Sequence, residues 1–187
     1  TEKQIKYGFD YYHKDEKRIK SVVEVSEYDG EDKLIINCTQ LDEDYSAKDK
    51  KRILQEWCSF LVEHPDIFTE LMFCTRMPQE LFDAVCAQRR LKRLHIKWGV
   101  YPDILKLENL QELEYLHIGS GRSVSSLEPI SRLVNLVALS IENFQKIDDY
   151  APLANLRHLE SLALEGDFAA PKILKVQSLE FLRHMKQ

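Results

Sequence analysis

Glycine and proline are scarce, six of each in 187 residues, which excludes collagen-like and low-complexity chains. No apolar run approaches the ~20 residues a bilayer-crossing helix needs, so no membrane partner is expected. The start, Thr1-Glu2-Lys3-Gln4-Ile5-Lys6, is charged and has no signal-peptide apolar stretch. It also lacks an initiator Met, so a removed leader stays open. An excess of positive charge is missing too: 26 Lys+Arg stand against 31 Asp+Glu, a formal charge of −5. A general nucleic-acid partner is therefore not expected, since such domains are usually basic. The four cysteines, Cys38, Cys58, Cys74 and Cys86, form no C-x-x-C pair. They are too sparse for a disulfide framework and too widely spaced for a zinc site. Buried thiols in a soluble, cytoplasmic protein are the expectation.

Catalytic signatures are absent as well. There is no Gly-rich phosphate loop, no G-x-S-x-G elbow and no H-E-x-x-H, and Gly119-Ser120-Gly121 is too short to cradle phosphates. Asp29-Gly30-Glu31-Asp32 lacks the alternating carboxylates of a calcium loop. The chain is read as non-enzymatic, with no cofactor, no metal and no catalytic residues.

What is abundant is leucine, and it is lopsided: of 25, only 6 precede Leu91 and 19 lie from Leu91 onward. The excess is a register. Leu91-x-x-Leu94-x-Ile96, Leu113-x-x-Leu116-x-Ile118, Leu136-x-x-Leu139-x-Ile141 and Leu159-x-x-Leu162-x-Leu164 start 22, 23 and 23 residues apart. A weaker copy, Phe68-x-x-Leu71-x-Phe73, precedes them, and a degenerate one, Leu179-x-x-Leu182, follows. Between them runs a second pattern: Ile104-x-x-Leu107-x-x-Leu110, Leu127-x-x-Ile130-x-x-Leu133 and Tyr150-x-x-Leu153-x-x-Leu156. The first pattern alternates as a strand does; the second, spaced at three, suits a helical or 3₁₀ turn. Pro129 and Pro152 fall where such turns would start. One unit cannot bury its own leucines, so successive units must stack.

Over roughly residues 68–185 the chain resembles the leucine-rich-repeat family, in its short type of 22 to 23 residues. The resemblance implies an α/β solenoid with parallel strands on a concave face and short turns on the convex face. The family usually places Asn or Cys three residues after the last strand leucine, to bond neighbouring coils. Gly99, Gly121, Phe144 and Asp167 occupy those positions here, a departure that bears on the regularity of the ladder.

Residues 1–66 differ in texture, with 16 acidic and 11 basic residues, so the whole net charge falls there. Ile5 to Tyr12 and Ile19 to Glu27 read as strands, and Asp29-Gly30 as a tight turn making a hairpin with Leu34-Ile35-Ile36. Ser46 with Asp49 marks a helix start; Ile53, Leu54, Trp57, Phe60 and Leu61 share an apolar face, and Pro65 ends the helix. A second helix is expected from Pro78 to about Gln88, with Leu81, Phe82 and Val85 inward. Residues 1–66 are thus expected to form an α+β cap on a solenoid spanning 67–187 in five to six coils. The last motif ends five residues before Gln187, so a dimer mate or a longer parent chain is expected to cover the C-terminal end.

Strand alternation sorts the outward residues into columns. The third motif position gives Glu70, Arg93, Tyr115, Ala138, Ser161 and Phe181. The fifth gives Met72, His95, His117, Ser140, Ala163 and Arg183; the seventh gives Cys74, Lys97, Gly119, Glu142 and Glu165. Arg93, His95, Lys97 and His117 then form a basic patch around an exposed Tyr115 with Trp98 at its edge, and Glu142 with Glu165 an acidic patch. Exposed aromatics beside Arg are common interface chemistry. The leading expectation is a non-catalytic module binding a protein or peptide through this face, at Arg93, His95, Lys97, Trp98, Tyr115, His117, Glu142 and Glu165. The alternative is an immunity-type inhibitor whose acidic first third masks a basic target. A third reading, a metal hydrolase at His95 and His117, lacks a third ligand in the columns.

Overall fold

The computed structural model describes residues 19–167 and 173–185. Among these described residues nine strands appear: β1 (Lys20–Val22), β2 (Lys33–Ile36), β3 (Glu70–Phe73), β4 (Met77–Pro78), β5 (Arg93–Ile96), β6 (Gly99–Val100), β7 (Tyr115–Ile118), β8 (Ala138–Glu142) and β9 (Ser161–Glu165). Seven of them form one sheet in the order β1-β2-β3-β5-β7-β8-β9, and β4 pairs with β6 in a second. Every pairing is parallel. The register stacks Leu71, Leu94, Leu116, Leu139 and Leu162 in one inward row. Phe73, Ile96, Ile118, Ile141 and Leu164 make the next.

The intervening pattern forms short turns on the other side of the core. These are 3₁₀ at Leu105–Asn109 and Ala151–Asn155, and a single α-turn at Glu128–Ser131. Pro129 and Pro152 sit in the first turn, where a missing N–H has no partner to lose. Leu107, Leu110, Ile130, Leu133, Leu153 and Leu156 close the core from that side. A parallel sheet buried by short turns is compatible with the leucine-rich-repeat solenoid. In the last coil the cover thins: Leu162 and Leu164 are half-buried where their counterparts in β5, β7 and β8 are sealed.

The helices follow their sequence signals. The long one spans Ala47–Glu63, with Ser46 Oγ accepting from the Asp49 N–H at 3.1 Å and Ile53, Trp57 and Leu61 fully buried. Its Trp57 Nε1 donates to the Val23 carbonyl at 2.7 Å, fastening the helix to the chain beyond β1. The Gln88 side chain satisfies its C-terminal end, donating to the carbonyls of Leu61 (2.5 Å) and His64 (2.9 Å). The second helix spans Gln79–Val85, with Leu81, Phe82 and Val85 buried.

Three expectations are corrected. Asp29-Gly30 does not make a hairpin, because β1 runs parallel to β2 with Lys20 opposite Leu34. The connection contains a 3₁₀ turn, Val25–Glu27, closed by Glu27 accepting from the Glu24 N–H at 2.8 Å. Gly30, at φ 97°, turns the chain within that crossover. Parallel neighbours need a crossover, whereas a tight turn would have reversed the chain. The strand expected to reach Glu27 accordingly stops at Val22. The strand expected over Ile5 to Tyr12 lies outside the described residues.

The third correction is the copy at Leu179, which forms a 3₁₀ turn, Glu180–His184, rather than a strand. Its Phe181 is buried beside Tyr150, ring centroids 6.3 Å apart, so Phe181 and Arg183 leave the concave columns. Between residues 66 and 67 the sheet is unbroken: β2 pairs with β3, Lys33 opposite Glu70 and Leu34 opposite Leu71.

Candidate functional site

The columns assemble as the alternation requires. Glu70, Arg93, Tyr115, Ala138 and Ser161 are register partners in turn. Met72, His95, His117, Ser140 and Ala163 form the next row, and Glu142 pairs with Glu165. Like charges directly opposite each other repel, so that last pair stabilises nothing by itself.

Exposure divides the expected site. Lys97 and Glu165 are exposed, while His95, Trp98, His117 and Glu142 are half-buried. Arg93 and Tyr115 are not exposed: only 6% and 1% of their surfaces meet solvent. The guanidinium of Arg93 lies 4.2 Å from the Tyr115 ring centroid, and its Nε lies 3.2 Å from Glu70 Oε1. Lys33 Nζ approaches the other Glu70 oxygen at 3.4 Å. Tyr115 packs with Val137 and Ala138 in a small buried cluster apart from the main core. Desolvation explains the arrangement: a buried guanidinium needs a carboxylate and a π face, and adjacent strands supply one each. Arg93, Tyr115, His117 and Glu142 all make further contacts beyond these.

In the next row the imidazoles of His95 and His117 stack, with centroids 4.3 Å apart and planes 16° from parallel. His117 Nδ1 is hydrogen-bonded with Ser140 Oγ at 2.9 Å. His95 Nδ1 is buried with no hydrogen-bond partner. Burial, then His117, Arg93 and Lys97 nearby, push the His95 pKa down to about 3, so its ring is neutral near pH 7. For the metal-hydrolase reading, no group of three His, Cys, Asp or Glu able to hold a metal occurs among the described residues.

The post-strand positions show how coils are joined without the family's usual Asn or Cys. A Cβ on Gly119 would lie 2.0 Å from the Lys97 carbonyl oxygen, and one on Gly121 would lie 2.0 Å from Phe144 Cε2. Both glycines mark close approach of neighbouring coils. The Tyr101 hydroxyl donates to the Gly119 carbonyl, and the Gly121 N–H donates to the Glu142 carbonyl at 3.0 Å. Asn143 stands one residue before the expected position, at φ 59°, and its Nδ2 donates to Asp167 Oδ2 at 3.0 Å. A coil-joining amide is therefore present, displaced by one residue.

Two further surfaces bear on the expectations. Lys92, Glu112, Glu114, Asn135, Val137 and His158 line an open depression of about 370 Å³ where the strands begin. It was not among the expected surfaces; its signal was the residues immediately before and after the first leucine of each motif, polar except for Val137. In the first third, Asp29 and Glu31 pair with Lys20, and Glu24, Asp49 and Glu56 with Arg52. These five carboxylates share two cations, so the first third keeps its net negative charge, and Asp42, Glu43 and Asp44 are exposed. No disulfide joins the four cysteines; Cys38 and Cys86 are buried, Cys58 and Cys74 half-buried. Burial pushes Cys38 up to about 12 and Cys58 to about 11, so both thiols are protonated near pH 7. Among the described residues no helix is long and apolar enough to cross a membrane.

No protein-family model matches the chain, and no curated protein matches it. Among solved structures it is similar to internalin C2 of Listeria monocytogenes, with a TM-score of 0.51 and 18% identity over 82% of this chain. Internalin F of the same organism gives a TM-score of 0.46 at 14% identity, again over 82% of this chain. The chain spans 64% and 46% of the lengths of those two structures. Internalins are leucine-rich-repeat proteins, so the first likeness supports the fold.

Proposed function

We propose that this chain is a short-type leucine-rich-repeat module that binds a protein or peptide partner through its concave face. Residues 1–66 are assigned to closing the N-terminal end of its core. The observation that carries the reading is the set of outward side chains on or just beyond β5, β7, β8 and β9, namely His95, Lys97, His117, Glu142 and Glu165, with Trp98 next to Lys97. Ladder hydrogen bonds occupy the sheet backbone and the leucines lie beneath it, so this row is where the repeat carries distinct chemistry. Both charge signs along one face suit a partner held in a fixed register. Arg93 and Tyr115 enter as the buried support of that row, with Arg93 holding the Tyr115 ring in place.

The test is quantitative capture from native lysate with charge reversals at exposed positions, which avoids disturbing the buried Arg93–Tyr115 pair. Lys97→Glu combined with Glu165→Lys is expected to lower recovery of a specific partner at least about tenfold, consistent with ~1.4 kcal/mol or more of lost contact energy. Arg157→Glu, on the exposed chain between the Ala151–Asn155 turn and β9, is expected to leave recovery unchanged. Equal recovery by all three chains would refute the concave-face reading.

A further inference from the structure

The stacked imidazoles are an unusual centre for such a face, and their surroundings specify a ligand chemistry. We propose that the His95–His117 stack, with Lys97 beside it, is the seat of a carboxylate carried by the partner segment, and that docking draws a proton onto the imidazole pair. This rests on the concave-face reading and names the group that the face receives.

The charges around the stack set the argument. On its own strand His95 is flanked by Arg93 and Lys97, and on β7 by His117 beside Tyr115. On β3 it faces Met72, between Glu70 and Cys74; Glu70 is engaged by Arg93 at 3.2 Å and by Lys33 at 3.4 Å. On β8, His117 faces Ser140, and the Glu142 carboxylate reaches toward Gly119, 3.0 Å from where a Cβ on that glycine would stand. The field on β5 and β7 is thus cationic, with its nearest β3 carboxylate already committed.

The second observation is the buried, unpartnered His95 Nδ1. A ring nitrogen without an acceptor is cheapest there as a lone pair, which places the ring proton on Nε2 and makes that edge a donor. Two imidazoles 4.3 Å apart and nearly parallel cannot both carry charge without strong repulsion. The pair is therefore built to hold one added proton at most. A carboxylate placed over it favours the charged form and reverses the balance that keeps it neutral. The proton comes from solvent, and no bond between heavy atoms forms or breaks. Linkage fixes the sign: a complex that holds more protons than its parts tightens as pH falls.

The test uses the full chain, ¹⁵N-labelled, with acetylated and amidated hexaglutamate and hexalysine as probes. Imidazole ¹H–¹⁵N spectra are followed from pH 7.5 to 6.0, where glutamate side chains stay ionised. Hexaglutamate is expected to move the ring signals of His95 and His117, leaving those of the exposed His64 and His158 in place. Its affinity is expected to rise about threefold or more over that range, within the tenfold per pH unit that one proton permits. Lys97→Gln should weaken binding at every pH. His117→Gln should flatten the pH dependence, with its backbone spectrum reporting whether the fold is kept. Hexalysine is expected to leave both rings unmoved. Movement of β5–β8 backbone signals without the two rings would overturn the carboxylate seat and leave the concave-face reading standing. Movement confined to the convex turns, or affinity independent of pH, would also overturn it.

Discussion

At the scale of single residues, the decisive atoms are those that the repeat does not average away. Gly119 and Gly121 look interchangeable as loop residues, but their missing Cβ atoms face different obstacles. At Gly119 the obstacle is the Lys97 backbone carbonyl, and at Gly121 it is the Phe144 ring. A ring can shift and a ladder carbonyl cannot, so Gly119→Ala is expected to cost more than Gly121→Ala, which should fall within the ~1–3 kcal/mol of ordinary overpacking. Urea denaturation of the two variants checks the order. His95 gives a second prediction, with a definite sign. Its folded-state pKa, about 3, lies below the ordinary 6.5, so the unfolded chain binds the extra proton. Its neutral burial therefore costs nothing above pH 6.5 and erodes stability progressively as pH falls from 6.5 toward 3. His95→Phe should narrow the loss of stability between pH 7 and pH 5, measured by denaturant midpoint. A wider loss in the variant would show that the imidazole is already charged in the folded state.

At the scale of elements, local signals were legible wherever chemistry and geometry are local. Ser46 followed by Asp49 marked the long helix, and the side-chain cap is present. Ser46→Ala is expected to cost about 1 kcal/mol. Gln88→Leu strands the Leu61 and His64 carbonyls at the other end of the same helix, for about 1–3 kcal/mol. Thermal unfolding of each variant, and of both together, reads these costs; the two ends are far enough apart that the effects should add. Partner choice was less legible. Asp29-Gly30 carries a real turn signal, and Gly30 does adopt a positive φ. What the dipeptide cannot encode is whether the next strand reverses or crosses over. That was decided by the 3₁₀ turn Val25–Glu27 and by Trp57 bonding the Val23 carbonyl from 34 residues away. The Leu179 copy failed for a related reason. Three-residue spacing is shared by the strand motif's first two leucines and by the convex turns, and Phe181 packing on Tyr150 selects the turn.

At the scale of the whole molecule, period alone placed the four strands β5, β7, β8 and β9 and their columns, because a parallel ladder converts equal spacing into lateral neighbours. Burial within those columns was not readable. Arg93 and Tyr115 alternate outward like any exposed pair, yet the Glu70–Arg93–Tyr115 stack withdraws both from solvent. Nearest-neighbour stacking also makes stability uneven along the sheet. Leu116→Ala in β7 is expected to cost about 2–5 kcal/mol, and Leu162→Ala in the half-covered β9 distinctly less. Amide exchange should follow the same gradient, slowest in β5 and β7 and fastest in β9. The central claim is that contact with a partner occurs on the concave row. Hydroxyl-radical footprinting of the chain, alone and with a captured partner, tests it most directly. Protection of His95, Trp98 and His117, with Val62, Leu105 and Val134 still oxidised, is the predicted result. Protection of Val62, Leu105 or Val134 with the concave row still reactive would contradict the account.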